Sequence, residues 1–480
     1  MIPRKVYLGH HKFRFLNEEH ELASPEDWNR SEWGKLWLYN LHYFDCLRQE
    51  DLPEDEAMSL IHLWINENPP AQGNGWEPYP LSLRIVNWIK YYLSGHELSD
   101  EALQSLTVQC RALFSHLEKH LLANHYLANA KAMTFAGKFF QGKEARKWLK
   151  CGYRIYSKEL PKQILPDGCH FERSPMYHSI ILEDLLDLYN IHAPLPLKKY
   201  IPRMLHALMV LTGADGKIAF FNDAADGIAL SPAQLLEYAK KLGFEIPALN
   251  GSFDLPDGGY ARLRQGYWTL IADGGNIGPE YQPGHAHADT LSFELWDGET
   301  KILTNSGTGE YIATPNRMRQ RSTAGHNALV LDHRNSSLVW AAHRVANRAH
   351  VTKRIFSDQT FAAAHDGYRP VVHERRWSLT RDKVAVADTL TGSGSHDVDI
   401  YWHFPPKTKL EIDNHLVRFS VDKNRYLLDF DESFEIELDA TMPYSPEFGM
   451  FLPHPVVRCH IQCELPRTFT ANLFSDTMNA

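Results

Sequence analysis

The stretch GHAHADTLSFEL, residues 284–295, sets His285, His287 and Asp289 two residues apart, just ahead of the apolar positions Leu291 and Phe293. In an extended chain such residues share one face and follow one another at about 6–7 Å. Three polar groups aimed one way, with core residues after them, need protein partners, a metal or a substrate. Three other stretches concentrate chemistry. GNGWEPYPLSLRIVNW (73–88) groups Trp76, Glu77, Tyr79 and Arg84 about a loop that enters a helix. LLANHYLANAKA (121–132) places Asn124 and His125 within an otherwise apolar helix. PDGCHFERSPMYHSIILEDL (166–185) offers His170, Glu172, Arg173, Tyr177 and His178 just before a helix. TNSGTGEY (304–311) and RSTAGHNALVLD (321–332) follow the histidine stretch.

Taken singly, these residues read as structure: Asn124 as a helix-interior amide, Arg84 as a salt-bridge arginine, Tyr177 and His178 as packing and helix-start residues. As a set they suit one reaction, removal of a proton from the carbon beside a carboxylate followed by loss of a leaving group one carbon further on. The carboxylate must be neutralised or strongly hydrogen-bonded while negative charge develops, which Asn and His donors do. A base must take the proton and an acid must protonate the departing oxygen, roles open to Tyr and His. A tyrosine near its usual pKa of about 10 is a poor base at neutral pH, so cations must lower it. Arg173 and the neighbouring histidines are the candidates.

The elements that carry these residues have two textures. Residues 35–250 read as helices: SDEALQSLTVQCRALFSHLEKHLLANHYLANAKAMTFAGKFF holds apolar positions at three- and four-residue spacing, with Ser99 or Asp100 to cap it. SPAQLLEYAKKLG has Ser231 as N-cap, Pro232 at the first helical position, Gln234 closing a capping box and Gly243 as the stop. Beyond about 250–258, YARLRQGYWTLIADGG, LSFELWDGETKILTNSG, HDVDIYWHFPP and RYLLDFDESFEIELDA are strand-like, with a hairpin expected about Asp297-Gly298. Strands without alternating helices argue for an antiparallel sandwich over a doubly wound sheet. The expected division is an N-terminal arm (1–34), a helical domain (35–250) and a β-sandwich (251–480).

Bulk properties exclude some classes. A chain of 480 residues with net charge −9 and no Lys/Arg run is a poor fit for nucleic acid. An acidic substrate would have to be drawn by a local basic patch. The 12 Trp, 21 Tyr and 23 Phe suit a sugar-binding cleft, although aromatics also fill cores. The six cysteines include no CxxC pair and call for no disulfide framework. No apolar leader or membrane-spanning segment is evident, so the chain reads as cytoplasmic as given, or as a periplasmic or secreted mature form whose signal was removed.

NHYLANAKA, DGCHFERSPMYH, GHAHADTLSFEL, NSGTGEY and RSTAGHN, in that order, resemble the heparinase II/III-like polysaccharide lyases, a group that includes heparin, heparan sulfate, alginate and broader glycosaminoglycan lyases. The resemblance is firmest over residues 35–335. It implies an incomplete α/α toroid followed by an antiparallel β-sandwich, and β-elimination at a uronic acid of an acidic polysaccharide or oligosaccharide. Carried over by motif, Asn124 and His125 neutralise the carboxylate, Tyr177 is the acid and in some stereochemistries also the base, and His285 is its partner. Trp76, Tyr79, Arg84, Arg173 and Tyr311 are candidate substrate-binding residues. The resemblance also implies a structural divalent metal, zinc or similar, at His287, Asn305 and His326, and no organic cofactor. The family's DSGT is NSGT here; Asn305 is a weaker ligand than Asp, and Asp289 is a possible replacement. Two rival readings remain open: a glycoside hydrolase, for which Glu77 and Glu172 could be nominated, and a non-catalytic polysaccharide-binding or biosynthesis-associated protein on a lyase scaffold.

Overall fold

The computed structural model describes residues 5–439 and 442–475. The chain forms two compact units, residues 1–163 with 183–198 and residues 164–182 with 199–480. In the first, an antiparallel hairpin (Lys12–Phe15 with Glu18–Glu21) precedes helices Lys35–Tyr43, Glu54–Glu67, Pro78–Leu93, Asp100–Ser115, Ala123–Phe139 and Lys143–Gln163. Trp28, Trp37, Trp64 and Trp88 are fully buried there and form much of the core. The helices Ala123–Phe139 and Lys143–Gln163 approach closely because Gly152 faces Thr134. A Cβ on Gly152 would lie 2.3 Å from the Thr134 Oγ1, so any side chain would push the pair apart.

The periodic run from residue 99 to 140 is two helices. Ser99 caps the first, its hydroxyl accepting from Ala102 N–H. The second starts at Ala123, after its N-cap Leu122, the two residues having φ 49° and 57°. Left-handed geometry is unfavourable for such side chains, and strain of this kind collects at functional sites. Asn124 and His125 therefore occupy the first turn of a helix, not its interior.

The second unit carries a five-stranded antiparallel sheet (Phe253–Leu255, Tyr260–Gln265, Trp268–Asp273, Phe293–Asp297, Thr300–Leu303) and a ten-stranded antiparallel sheet dominated by the long strands Lys383–His403 and Val456–Ser475. Leu270, Phe293 and Leu295 of the first share one core with Trp377, Val386, Leu428 and Leu473 of the second. The helix Pro232–Lys241 has the expected Ser231–Gln234 capping box, and Gly243 follows at φ 85°. The Asp297-Gly298 hairpin is present, with Gly298 at φ 57°.

One local expectation fails. Residues 284–292 are not the start of a strand, which begins only at Phe293. Leu291 is left-handed at φ 70°, and Ser292 N–H donates to Asp289 O at 2.8 Å, so the polar residues sit on a turn-containing loop. Among the described residues no helix is long and apolar enough to cross a membrane.

Candidate active site

The second unit gathers its polar chemistry around the stretch FFNDAADG (220–227), which by sequence suits a cleft loop or an ordinary turn. Asp223, in FFNDAADG, is fully buried. Its Oδ2 accepts from His285 Nδ1 at 2.9 Å and its Oδ1 from His287 Nε2 at 2.8 Å. Arg317, also fully buried, grips both oxygens, with Nη2 to Oδ2 at 3.0 Å. Burial alone would raise this carboxyl, but the Arg317 guanidinium and the two imidazoles more than offset it and hold Asp223 well below the usual carboxylate range. Asp223 N–H also donates to His285 O at 2.9 Å, so backbone and side chain fix the histidine together.

With its Nδ1–H donating to Asp223, a neutral His285 ring leaves Nε2 as its acceptor. Its ring stacks on Tyr177 at 3.9 Å between centroids and 27° between planes, and it keeps 17% of its side chain exposed. Tyr177 comes from the first turn of the helix Pro175–Asn190; its hydroxyl lies 3.1 Å from that of Tyr311. Arg317 sits over the Tyr311 ring at 5.1 Å. Burial pushes the Tyr311 phenol well above its usual value, so it stays protonated and can donate to Tyr177. The result is a closed circuit: Asp223 to His285, His285 on Tyr177, Tyr177 to Tyr311, Tyr311 under Arg317, Arg317 back to Asp223.

Asn222, next along the chain, ties in the loops. Its N–H donates to Asp289 Oδ2 at 2.8 Å, its Oδ1 accepts from His287 N–H at 2.9 Å, and its Nδ2 donates to Arg173 O at 3.0 Å. Arg173 itself, at φ 57°, spends its guanidinium on Asn276 O and Gly278 O, both at 2.7 Å.

His287, Asp289 and His326 are all buried, and a ligand atom of each lies within 4.8 Å of the others. His287 Nδ1 and His326 Nε2 are 3.2 Å apart, close to the spacing of about 3.3 Å for two nitrogens on one tetrahedral zinc. Burial keeps His287 at about 4, hence neutral and ligand-ready, and its other nitrogen donates to Asp223, the carboxylate–histidine arrangement that orients metal ligands. Burial raises Asp289 to about 7. Two imidazoles and a carboxylate are zinc-type donors, so the set fits a divalent ion. Asn305 Oδ1 accepts from Asn327 N–H at 3.2 Å, and Asn305 N–H donates to Glu294 Oε1 at 2.9 Å.

In the first unit, Asn124 is buried, and the neighbouring His125 keeps about a third of its side chain exposed (34%). His125 Nδ1 is 3.1 Å from Glu118 Oε1, and its ring packs on Tyr79 at 4.3 Å. Trp76 donates its indole N–H to Asn68 O at 3.1 Å. Arg84 does not face a ligand. It is fully buried over the Trp64 ring at 3.8 Å, and its donors are taken by Gln109 Oε1, His42 O and Gly75 O at 3.0, 3.2 and 2.8 Å. Substrate binding by Arg84 is therefore corrected to a structural role: the side chain is fully buried and each of its three guanidinium nitrogens already has a protein acceptor. Glu172 is buried beside His170, and Glu77 is paired with Lys35 at 3.0 Å.

The structure adds three residues to the candidate site: Asp223, Arg317 and His343. The ring of His343 meets those of Tyr311 and His285 at 5.3 and 6.2 Å. FFNDAADG, which holds Asp223, suits a cleft loop or a turn without marking the carboxylate itself, and Arg317 and His343 lie outside the motifs of the sequence. They are 94 and 120 residues from Asp223, so only tertiary structure joins them.

Residues 50–231 match the family described as Heparinase II/III N-terminus and residues 247–463 the one described as Heparinase II/III-like, C-terminal. The heparin-sulfate lyase of Pedobacter heparinus is 24% identical over 382 residues, 71% of this chain and 56% of that protein. That of Bacteroides stercoris is 23% identical over 411 residues, 77% and 58%. The chain thus spans little more than half the length of these curated relatives. A crystal structure of heparinase III aligns over 96% of this chain and 79% of that one, with TM-score 0.73 and 18% identity. Chondroitin AC lyase of Streptomyces coelicolor aligns over 92% and 74%, with TM-score 0.52 and 10% identity. These likenesses establish a shared fold, helices followed by antiparallel β-sheets.

Proposed function

The chain belongs to the heparinase II/III-like family, and we propose that it is a polysaccharide lyase that cleaves a uronic-acid-containing polymer or oligosaccharide by β-elimination. The observation that carries this reading is the Tyr177 hydroxyl, held by Tyr311 and stacked beside a His285 whose tautomer Asp223 fixes.

In this reading Asn124 and His125 take the uronate carboxylate, as their motif implies, so that the adjacent carbon can lose its proton. His285 Nε2, or Tyr177 in the other stereochemistry, accepts that proton. The C–H electrons form the new double bond, the C–O bond one carbon further on breaks toward oxygen, and Tyr177 protonates the departing oxygen. The Tyr311 hydroxyl, 3.1 Å away, stabilises negative charge on the Tyr177 oxygen once its proton has gone. A divalent ion on His287, Asp289 and His326 would supply structural bracing behind His285. The heparin-sulfate lyase relatives favour a glycosaminoglycan among uronic-acid polymers.

Tyr177→Phe tests the reading. Turnover, followed as ultraviolet absorbance of the unsaturated product, is expected to fall by about 10²–10⁴-fold with folding and polymer binding kept. Near-wild-type turnover would remove Tyr177 from the mechanism.

A further inference from the structure

The hairpin formed by Leu338–Trp340 and Arg344–Ala346 is small, but two fully buried arginines hold its tip. Arg321 Nη1 donates to Trp340 O and Ala341 O at 3.3 and 3.1 Å, and its Nη2 to Arg344 O at 3.2 Å. Arg317 donates twice to Ala342 O, at 3.2 and 2.9 Å. The same Arg321 also donates to Ala286 O, between His285 and His287, and the same Arg317 holds Asp223. One bracket therefore fixes the tip and the reacting histidine together. Ala341 is left-handed at φ 48°, a conformation these bonds enforce.

Burying two guanidinium groups beside a surface turn is costly, and within the two strands of this hairpin only Val339 is buried. Trp340 is 43% exposed, and Ala341, His343 and Arg344 are exposed too. His343 faces inward enough to meet Tyr311 and His285, and its Nδ1 donates to Gly284 O at 3.1 Å, leaving Nε2 as an acceptor. A turn held beside Tyr311 and His285 thus displays an indole, an imidazole and a guanidinium. An indole packs on a sugar face, and a guanidinium pairs with carboxylate or sulfate.

We propose that the tip Trp340–Arg344 is a binding subsite for an acidic sugar residue of the polymer, next to the bond that is broken. The proposal rests on the lyase reading for the identity of the polymer, while binding itself can be measured without turnover. The probes are hexasaccharides of heparan sulfate and of alginate, with uncharged cellohexaose as control, titrated calorimetrically into Tyr177→Phe protein. Trp340→Ala and Arg344→Gln, each added to that background, are expected to weaken binding of an acidic hexasaccharide about tenfold with the melting temperature kept. A larger loss with Arg344→Gln for the sulfated probe assigns the guanidinium to sulfate; an equal loss for both assigns it to carboxylate. Unchanged binding in both variants overturns the subsite, as does failure of both acidic probes to bind or equal binding of cellohexaose. Full turnover by Tyr177→Phe itself would instead sink the lyase reading of that tyrosine and leave the subsite result standing.

Discussion

The second unit contains two buried clusters of nearly the same composition. Around Asp223 stand Arg317, His287 and His285; around Asp388 stand Arg375, His373 and, one histidine further, His365. In both an arginine grips the carboxylate and a histidine donates to it, at 2.8 Å in the first and 2.6 Å in the second. The second cluster is closed: its four side chains are at most 3% exposed, and Arg375 spends Nη1 on Leu291 O and Asn327 O. It arises from strand register, since Arg375 faces Asp388 and His365 faces His373 across neighbouring strands. The first cluster is assembled by two loops and the short helix Pro315–Arg321, which carries Arg317, and lets His285 out to Tyr177 and solvent. An Asp–His–Arg cluster is thus not a site by composition. It becomes one where a single histidine is held from behind and left open in front.

That contrast is open to direct attack. The largest effect is expected from Asp223→Asn, which replaces one of the two oxygens that hold His285 and His287 by an amide NH2 and leaves Arg317 buried without an anionic partner. Turnover should fall by about 10²-fold or more while an acidic hexasaccharide still binds; unchanged turnover would show that His285 needs no such support. Asp388→Asn should act oppositely. Breaking a buried pair costs about 3–5 kcal/mol, read as a lower melting temperature and denaturation midpoint, but the folded fraction should keep its specific activity. Loss of activity without loss of stability there would erase the distinction between the clusters.

His287→Ala should lower the content of divalent metal, measured by elemental analysis of the purified protein, and lower stability before chemistry. If metal and folding survive while turnover stops, the two histidines have each other's roles. The smallest effect concerns acid. Burial alone would raise Asp388, but Arg375 and His373 bring it down to about 2. An Asp whose folded pKa lies below its unfolded value of about 3.9 adds stability above that value and loses it as pH falls through about 2. The melting temperature should therefore drop between about pH 4 and 2, and Asp388→Asn should flatten that limb; an unaltered limb would mean the carboxylate is not held as described.

Much of this was legible in the sequence, for identifiable reasons. Caps and turns act locally, so Ser99, the Ser231–Gln234 box and the Asp297-Gly298 hairpin were readable from a few residues each. Tyr177, His285 and Tyr311 were marked by residue type and motif, and the fold brings them together. Strand periodicity misled at 284–292 because alternation describes an extended chain, and a left-handed Leu291 ends that description. His285 and His287 nevertheless converge, on Asp223 and not on a common strand face. Arg84 looked available because sequence does not reveal that Gln109, His42 and Gly75 surround it. Asp223 lay in a stretch that suits a cleft loop or a turn, and its pairing with Arg317 was not legible because 94 residues separate the two; the tip at 340–344 carries no local signal of its bonds to Arg317 and Arg321.

The most direct test of the central claim is ultraviolet absorbance over time, with the purified protein incubated against heparan sulfate, hyaluronan, chondroitin and alginate. Rising absorbance from a double bond conjugated to the carboxylate, absent with Tyr177→Phe, is the expected result. Chain shortening that yields new reducing ends without that absorbance would contradict elimination and point to hydrolysis.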